Sequence, residues 1–105
     1  MDCIFCNIIN KTQPAEIIYE DDMFLVFKDI KPLAPVHVLI LPKEHIGSVN
    51  DLKNSHKKLI GELVLLAKKI ANEQNITDGY KLTFSVGRKG GQLIDHMHLH
   101  LMGGW

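Results

Sequence analysis

The sequence has no excess of charge: twelve Lys and Arg residues balance twelve Asp and Glu. That balance excludes the broad field that draws a protein nonspecifically onto nucleic acid or an anionic membrane, so any anion must be held locally. No apolar run approaches the roughly 20 residues of a membrane span. The opening MDCIFCNIINKTQ has too short an apolar stretch and the wrong flanks for a secretory signal. Cysteine is scarce, with only Cys3 and Cys6. This excludes a disulfide-stapled scaffold and suits a cytoplasmic protein whose thiols are free or metal-bound. Repeats, linkers and low-complexity tracts are also missing, and 46% apolar with 23% charged residues is the composition of an ordinary globule, so one domain over residues 1–105 is expected. A chain this short buries only about 60 to 65% of its unfolded surface, and such domains gain from a metal or a second copy of themselves.

What is present reads as α+β. A short helix is expected over Ile4 to Asn10, broken by Pro14. EIIYEDDMFLVFKD reads as a hairpin of Ile17 to Tyr19 and Met23 to Lys28. The nearly continuous apolar stretch from Val36 to Leu41 suits a central strand covered on both faces, with His37 inside it. From Asp51 to Glu73 apolar residues recur at helical spacing over an arc wide enough to meet a partner chain as well as a sheet, which points to a homodimer. Tyr80 to Val86 and His96 to Met102 complete five short strands, expected as an antiparallel sheet with one long helix and a short N-terminal helix.

The chain ends in DHMHLHLMGGW. On a strand His96, His98 and His100 would share one face while Met97, Leu99 and Leu101 enter the core. Such a row admits two chemistries. The imidazoles could ligate a catalytic metal, or one neutral imidazole could attack a phosphate while a protonated neighbour manages the charge, both forms being accessible near pH 7. The preceding Gly90-Gly91-Gln92 offers backbone and amide donors to an oxyanion, which fits phosphate better than a metal alone. Arg88 and Lys89 read as solvated loop charges. His56 reads as an exposed surface residue. The spacing of Cys3 and Cys6 lets two thiolates reach one zinc ion if other ligands come from elsewhere. A reduced unmetallated pair and a redox dithiol fit the same residues.

HMHLHLM resembles the His-φ-His-φ-His-φ-φ signature of the histidine-triad (HIT) family, φ being apolar. The likeness extends over IIYEDDMFLVFKDIKPLAPVHVLILPKEHI and GGQLIDHMHLHLMGG, towards the branch of purine nucleoside phosphoramidases. The resemblance implies a symmetric dimer with a continuous sheet. It also implies cleavage of the α-phosphate bond of purine nucleoside phosphoramidates or related adenylates through a nucleotidyl-histidine, with no catalytic cofactor. His98 would be the nucleophile, His100 would serve the leaving group, and His37 and His96 would support them. Asp29 would accept the ribose hydroxyls. Phe27, Ile30, Phe5 and Ile8 would wall the base of an AMP-like ligand, and Ser85, Gly91 and Gln92 would lie at the sugar and phosphate. Structural zinc would sit among Cys3, Cys6, His45 and His96. Two positions depart from the family pattern: Ser85 where Asn is common, and Leu93 where this branch commonly has Ser or Thr. A nucleotide-binding module with incidental hydrolysis and a dinucleoside polyphosphate hydrolase are the alternatives.

Overall fold

The computed structural model describes residues 3–105. Five strands, β1 Ile17–Glu20, β2 Phe24–Lys28, β3 Val36–Pro42, β4 Tyr80–Phe84 and β5 Leu99–Gly103, pair antiparallel in the order β1-β2-β3-β5-β4. Helices α1 Ile4–Ile9 and α2 Lys57–Glu73 complete the fold, so the expected α+β architecture holds.

The alternation of side chains along the central strand decides what lies on each face. Val38 and Ile40 join Val26, Leu99 and Leu101 in a core closed by Leu63, Leu66 and Ile70 of α2. Leu39 and Leu41 point the other way, onto Leu25, Phe27 and the α1 residues Phe5 and Ile8. The run from His37 to Pro42 is buried throughout, as expected of a strand covered on both faces. Each fully buried Leu or Ile here contributes about 1.5 to 3 kcal/mol of transfer free energy.

Four boundaries move, each for a local reason. The long helix begins at Lys57 rather than Asp51. Ser48 and Asp51 form a reciprocal capping box on a separate 3₁₀ turn at Val49–Asp51, and Leu52 is extended, so the backbone restarts at a second turn, Asn54–His56. The first helix stops at Ile9, well before Pro14, because Lys11 takes a left-handed φ of 65° that ends it locally. Strand β4 ends at Phe84, whose partner Leu99 is the first residue of β5. Strand β5 begins at Leu99, not His96. The β3–β5 register would bring Met97 opposite Pro42, which has no N–H to donate. Met97 instead gives its N–H to the Ile46 carbonyl at 2.6 Å, and the segment from His96 to His98 leaves the ladder.

Candidate active site

Because that segment is off the ladder, the three histidines do not form one open row. Met97, Leu99 and Leu101 do enter the α2 core. His96, however, is fully buried and faces the cysteines, while His98 and His100 line a cavity of about 470 Å³ on the α1 side of the sheet. The rings of His98 and His100 are only 5.0 Å apart and tilted by 58°, closer than their spacing along an extended strand would bring them. A row of three collapses to a working pair plus a turned-away third.

Backbone and side-chain partners set the tautomer of each ring, since a carbonyl accepts only from N–H and an amide N–H donates only to a ring lone pair. His98 Nδ1–H donates to the His96 carbonyl at 2.7 Å, which leaves the lone pair on Nε2. The Leu33 N–H donates to His37 Nδ1 at 3.0 Å, so the His37 proton is on Nε2 and is given to His100 Nδ1 at 2.9 Å. His100 Nε2 therefore carries its N–H. One ring of the cavity offers a lone pair and its neighbour a donor.

Burial, reinforced by the neighbouring His98 and His37, pushes His100 down to about 4. Burial likewise lowers His98 and His96. The imidazole at position 100 is then neutral in the free protein at pH 7. Its folded pKa lies below the unfolded value of about 6.5, so the unfolded chain binds the extra proton between these values, and stability present above about pH 6.5 is lost as the pH falls towards 4. Urea unfolding at pH 7.5 and 5 is expected to read a lower stability at pH 5. His100→Gln should flatten that dependence, and an unchanged slope in the variant would count against a neutral His100.

Asp29 lines the cavity with one carboxylate oxygen 3.4 Å from His37 Nε2, while the other accepts the Lys31 N–H at 2.9 Å. Each oxygen has lone pairs to spare, so it closes a turn and still presents acceptors. Phe5, Ile8, Phe27 and Leu39 form the deep apolar wall, and Ile30, Ser85 and Gly91 also border the cavity. The Phe5 ring stands edge-on to His98 at 4.9 Å. A cavity of this size and lining suits a small ligand with one apolar end.

The glycine loop does not supply the expected donors. Gly90 and Gln92 give their N–H groups to the Gly87 carbonyl, and Gly91 gives its own to Arg88. The Gln92 side chain is buried outside the cavity, donating to the carbonyls of Gly47 and Ile94 and accepting from the Gly87 N–H. Its role is to brace the loop. Arg88 is likewise no free charge, since it forks onto Asp95 at 2.8 and 2.9 Å and donates to the Gln92 carbonyl. Gly91 takes a left-handed φ of 91°, which a side chain would resist. His56 is also not a bare surface residue: it accepts the Lys53 N–H and lies 3.1 Å from Glu44.

Behind the cavity, ligating atoms of Cys3, Cys6, His45 and His96 all lie within 4.8 Å of one another. Cys6 Sγ is 3.2 Å from His45 Nδ1 and 3.5 Å from His96 Nδ1, and Cys3 Sγ is 3.5 Å from the same His96 nitrogen. His96 Nε2–H donates to the Pro42 carbonyl at 2.8 Å, so Nδ1 keeps the lone pair a metal needs. Burial and the Cys3 thiol push Cys6 up to about 11, so without a cation it stays a thiol. Two sulfurs and two ring nitrogens at these separations could hold a metal ion. Helix α1 thus carries Cys3 and Cys6 at this cluster and Phe5 and Ile8 at the cavity.

Comparison with known proteins places this geometry. The family described as "Scavenger mRNA decapping enzyme C-term binding" matches residues 2–104. A purine nucleoside phosphoramidase of Escherichia coli K12 is 42% identical over 104 residues, covering 98% of this chain and 87% of that protein. An uncharacterised HIT-like protein of Synechococcus elongatus is 44% identical over 98% of this chain and 90% of its own. The crystal structure of a HIT family hydrolase from Legionella pneumophila, 42% identical, superposes with a TM-score of 0.97 over 99% of this chain and 94% of that one. With five antiparallel strands, one long helix and paired imidazoles on the sheet, the chain belongs to the histidine-triad family and is an enzyme of the HIT type.

Proposed function

We propose that the protein cleaves purine nucleoside phosphoramidates or related adenylates at the α-phosphate, through a nucleotide held covalently on His98. The single observation that carries this reading is the 2.7 Å bond from His98 Nδ1–H to the His96 carbonyl, which leaves a lone pair on the ring nitrogen that borders the cavity. That nitrogen attacks phosphorus as the bond to the leaving group breaks. Binding an anionic substrate favours adding a proton to the His37–His100 pair. His100 passes it from Nε2 to the departing nitrogen or oxygen. Water then attacks the phosphorus, gives its proton back to His100, and frees His98 and the nucleoside monophosphate. Asp29, with acceptors free, takes the two ribose hydroxyls, and Phe5, Ile8, Phe27 and Ile30 flank the base. The 42% identical E. coli purine nucleoside phosphoramidase supports this choice of substrate.

The test is a rapid acid-free quench with an adenosine phosphoramidate labelled at phosphorus. Label retained on the protein in a burst before steady state is expected. Turnover without any retained label would overturn the covalent route. Binding without turnover would instead identify a nucleotide-binding module.

Zinc is the ion proposed for the cysteine–histidine cluster. Zinc–sulfur bonds of about 2.3 Å and zinc–nitrogen bonds of about 2.0 to 2.1 Å at tetrahedral angles give a sulfur–nitrogen edge of about 3.6 Å, near the 3.2 to 3.5 Å separations here. When bound it supplies a structural clip, not chemistry at phosphorus. A homodimer through the free side of β4 is proposed as well. That edge strand leaves Leu82 exposed, and α2 leaves Val64 and Leu65 exposed. Sedimentation at micromolar concentration is expected to read twice the chain mass of 11.9 kDa; a single-chain mass would refute it. Such an enzyme would work in the cytoplasm, where thiols stay reduced. Among the described residues no helix is long and apolar enough to cross a membrane.

A further inference from the structure

The cavity has two kinds of apolar residue, and they are not equivalent. Phe5, Ile8, Phe27 and Leu39 are 4 to 7% exposed and already packed. Leu33 and Leu93, which border the same cavity, are 79% and 78% exposed. Large exposed aliphatic side chains beside a ligand site mark surface that a ligand covers.

Their positions say which part of a ligand would do so. In-line displacement puts the leaving group opposite the attacking His98 nitrogen, near the proton donor His100. The Leu33 backbone is tied to that side, because its N–H is held by His37 Nδ1 and His37 in turn by His100. Leu93 follows the loop braced by Gln92 and the Arg88–Asp95 fork, so its backbone is fixed without a ligand. Neither side chain belongs to the deep wall assigned to the base. Leu93 can neither donate nor accept a hydrogen bond, so what it recognises is apolar area.

We infer that Leu33 and Leu93 form an apolar clamp on the leaving group, making this enzyme selective for substrates whose departing amine carries an unbranched alkyl or aryl body. The inference rests on the nucleotidyl-transfer reading of the same cavity. Burying part or all of each methylene against the clamp raises kcat/KM by about two- to fourfold, so butylamine should exceed methylamine by about tenfold or more.

The test uses adenosine 5′-phosphoramidates of methylamine, butylamine, hexylamine and phenethylamine with wild type, Leu33→Ser, Leu93→Ser and the double variant. The expected result is a rising series in wild type that flattens in the double variant, while AMP, which has no leaving group, inhibits all four proteins alike. A flat wild-type series overturns the inference, as does a slope that survives in the double variant. If a flat series accompanies weakened dimerisation of Leu93→Ser in sedimentation, a second copy covers the rim and the inference is also wrong. Failure of the underlying reading looks different: no member of the series would be hydrolysed or leave label on the protein.

Discussion

His98→Ala is expected to lose about 10⁴- to 10⁶-fold in turnover of an adenosine phosphoramidate, the scale on which removing a covalent nucleophile acts, while AMP affinity changes by no more than a few-fold. The asymmetry follows from the cavity. The apolar wall of Phe5, Ile8 and Phe27, and the carboxylate of Asp29, do not depend on the imidazole at 98, so the ligand still has its base and sugar contacts. What disappears is the only cavity ring whose partner, the His96 carbonyl, leaves a lone pair on the nitrogen free to attack. His100 cannot substitute, because its Nδ1 lone pair is taken up by His37. Stopped assays on the phosphoramidate and AMP titration by calorimetry decide the matter. Near-normal turnover, or loss of binding equal to loss of rate, would sink the nucleophile assignment.

Stripping the metal is expected to have the second largest effect, and on stability and binding together. An ion held at about 100 times its Kd stabilises the folded chain by about 2.7 kcal/mol, which for a domain of this size shifts the melting temperature by about 10 °C or more. The loss should reach the nucleotide as well, since α1 carries Cys3 and Cys6 on one side and Phe5 and Ile8 on the other. Coupling of this kind is reciprocal: zinc raises AMP affinity by the factor that AMP raises zinc affinity. Thermal melts and AMP titrations with zinc-loaded and chelator-treated protein measure both, with Cys6→Ser expected to remove the response. If the melt and the AMP affinity are indifferent to chelator, the cluster holds no structural ion.

Much of the fold was legible because burial imposed simple periods. The apolar run in β3 and the 3.6-residue recurrence from Leu59 to Ala71 are consequences of being covered on two faces or one. Boundaries were less legible where side chains cap the backbone, as with Ser48 and Asp51 ahead of α2. At the site, strand alternation correctly sent Met97, Leu99 and Leu101 inward, but it could not show that His96 turns to the cysteines. That depends on the Pro42 carbonyl, 54 positions away. Gln92 was misread for a related reason: a Gly-Gly-Gln sequence advertises donors, and only the folded loop reveals that Gly47, Ile94 and Gly87 have already engaged that amide. The bracing by Arg88 and Asp95 left a signal in their charges, but no periodicity joins residues seven apart in a loop.

Pro42 carries a consequence of its own. A residue with an N–H there would let β3 and β5 zip onward past Leu99, and the growing ladder would pull the His96 carbonyl and the His98 ring into the repeating pleat of an ordinary sheet. The reactive nitrogen owes its aim to one absent hydrogen atom, where regular architecture gives out two residues early and leaves a stretch of chain free to be shaped by chemistry instead.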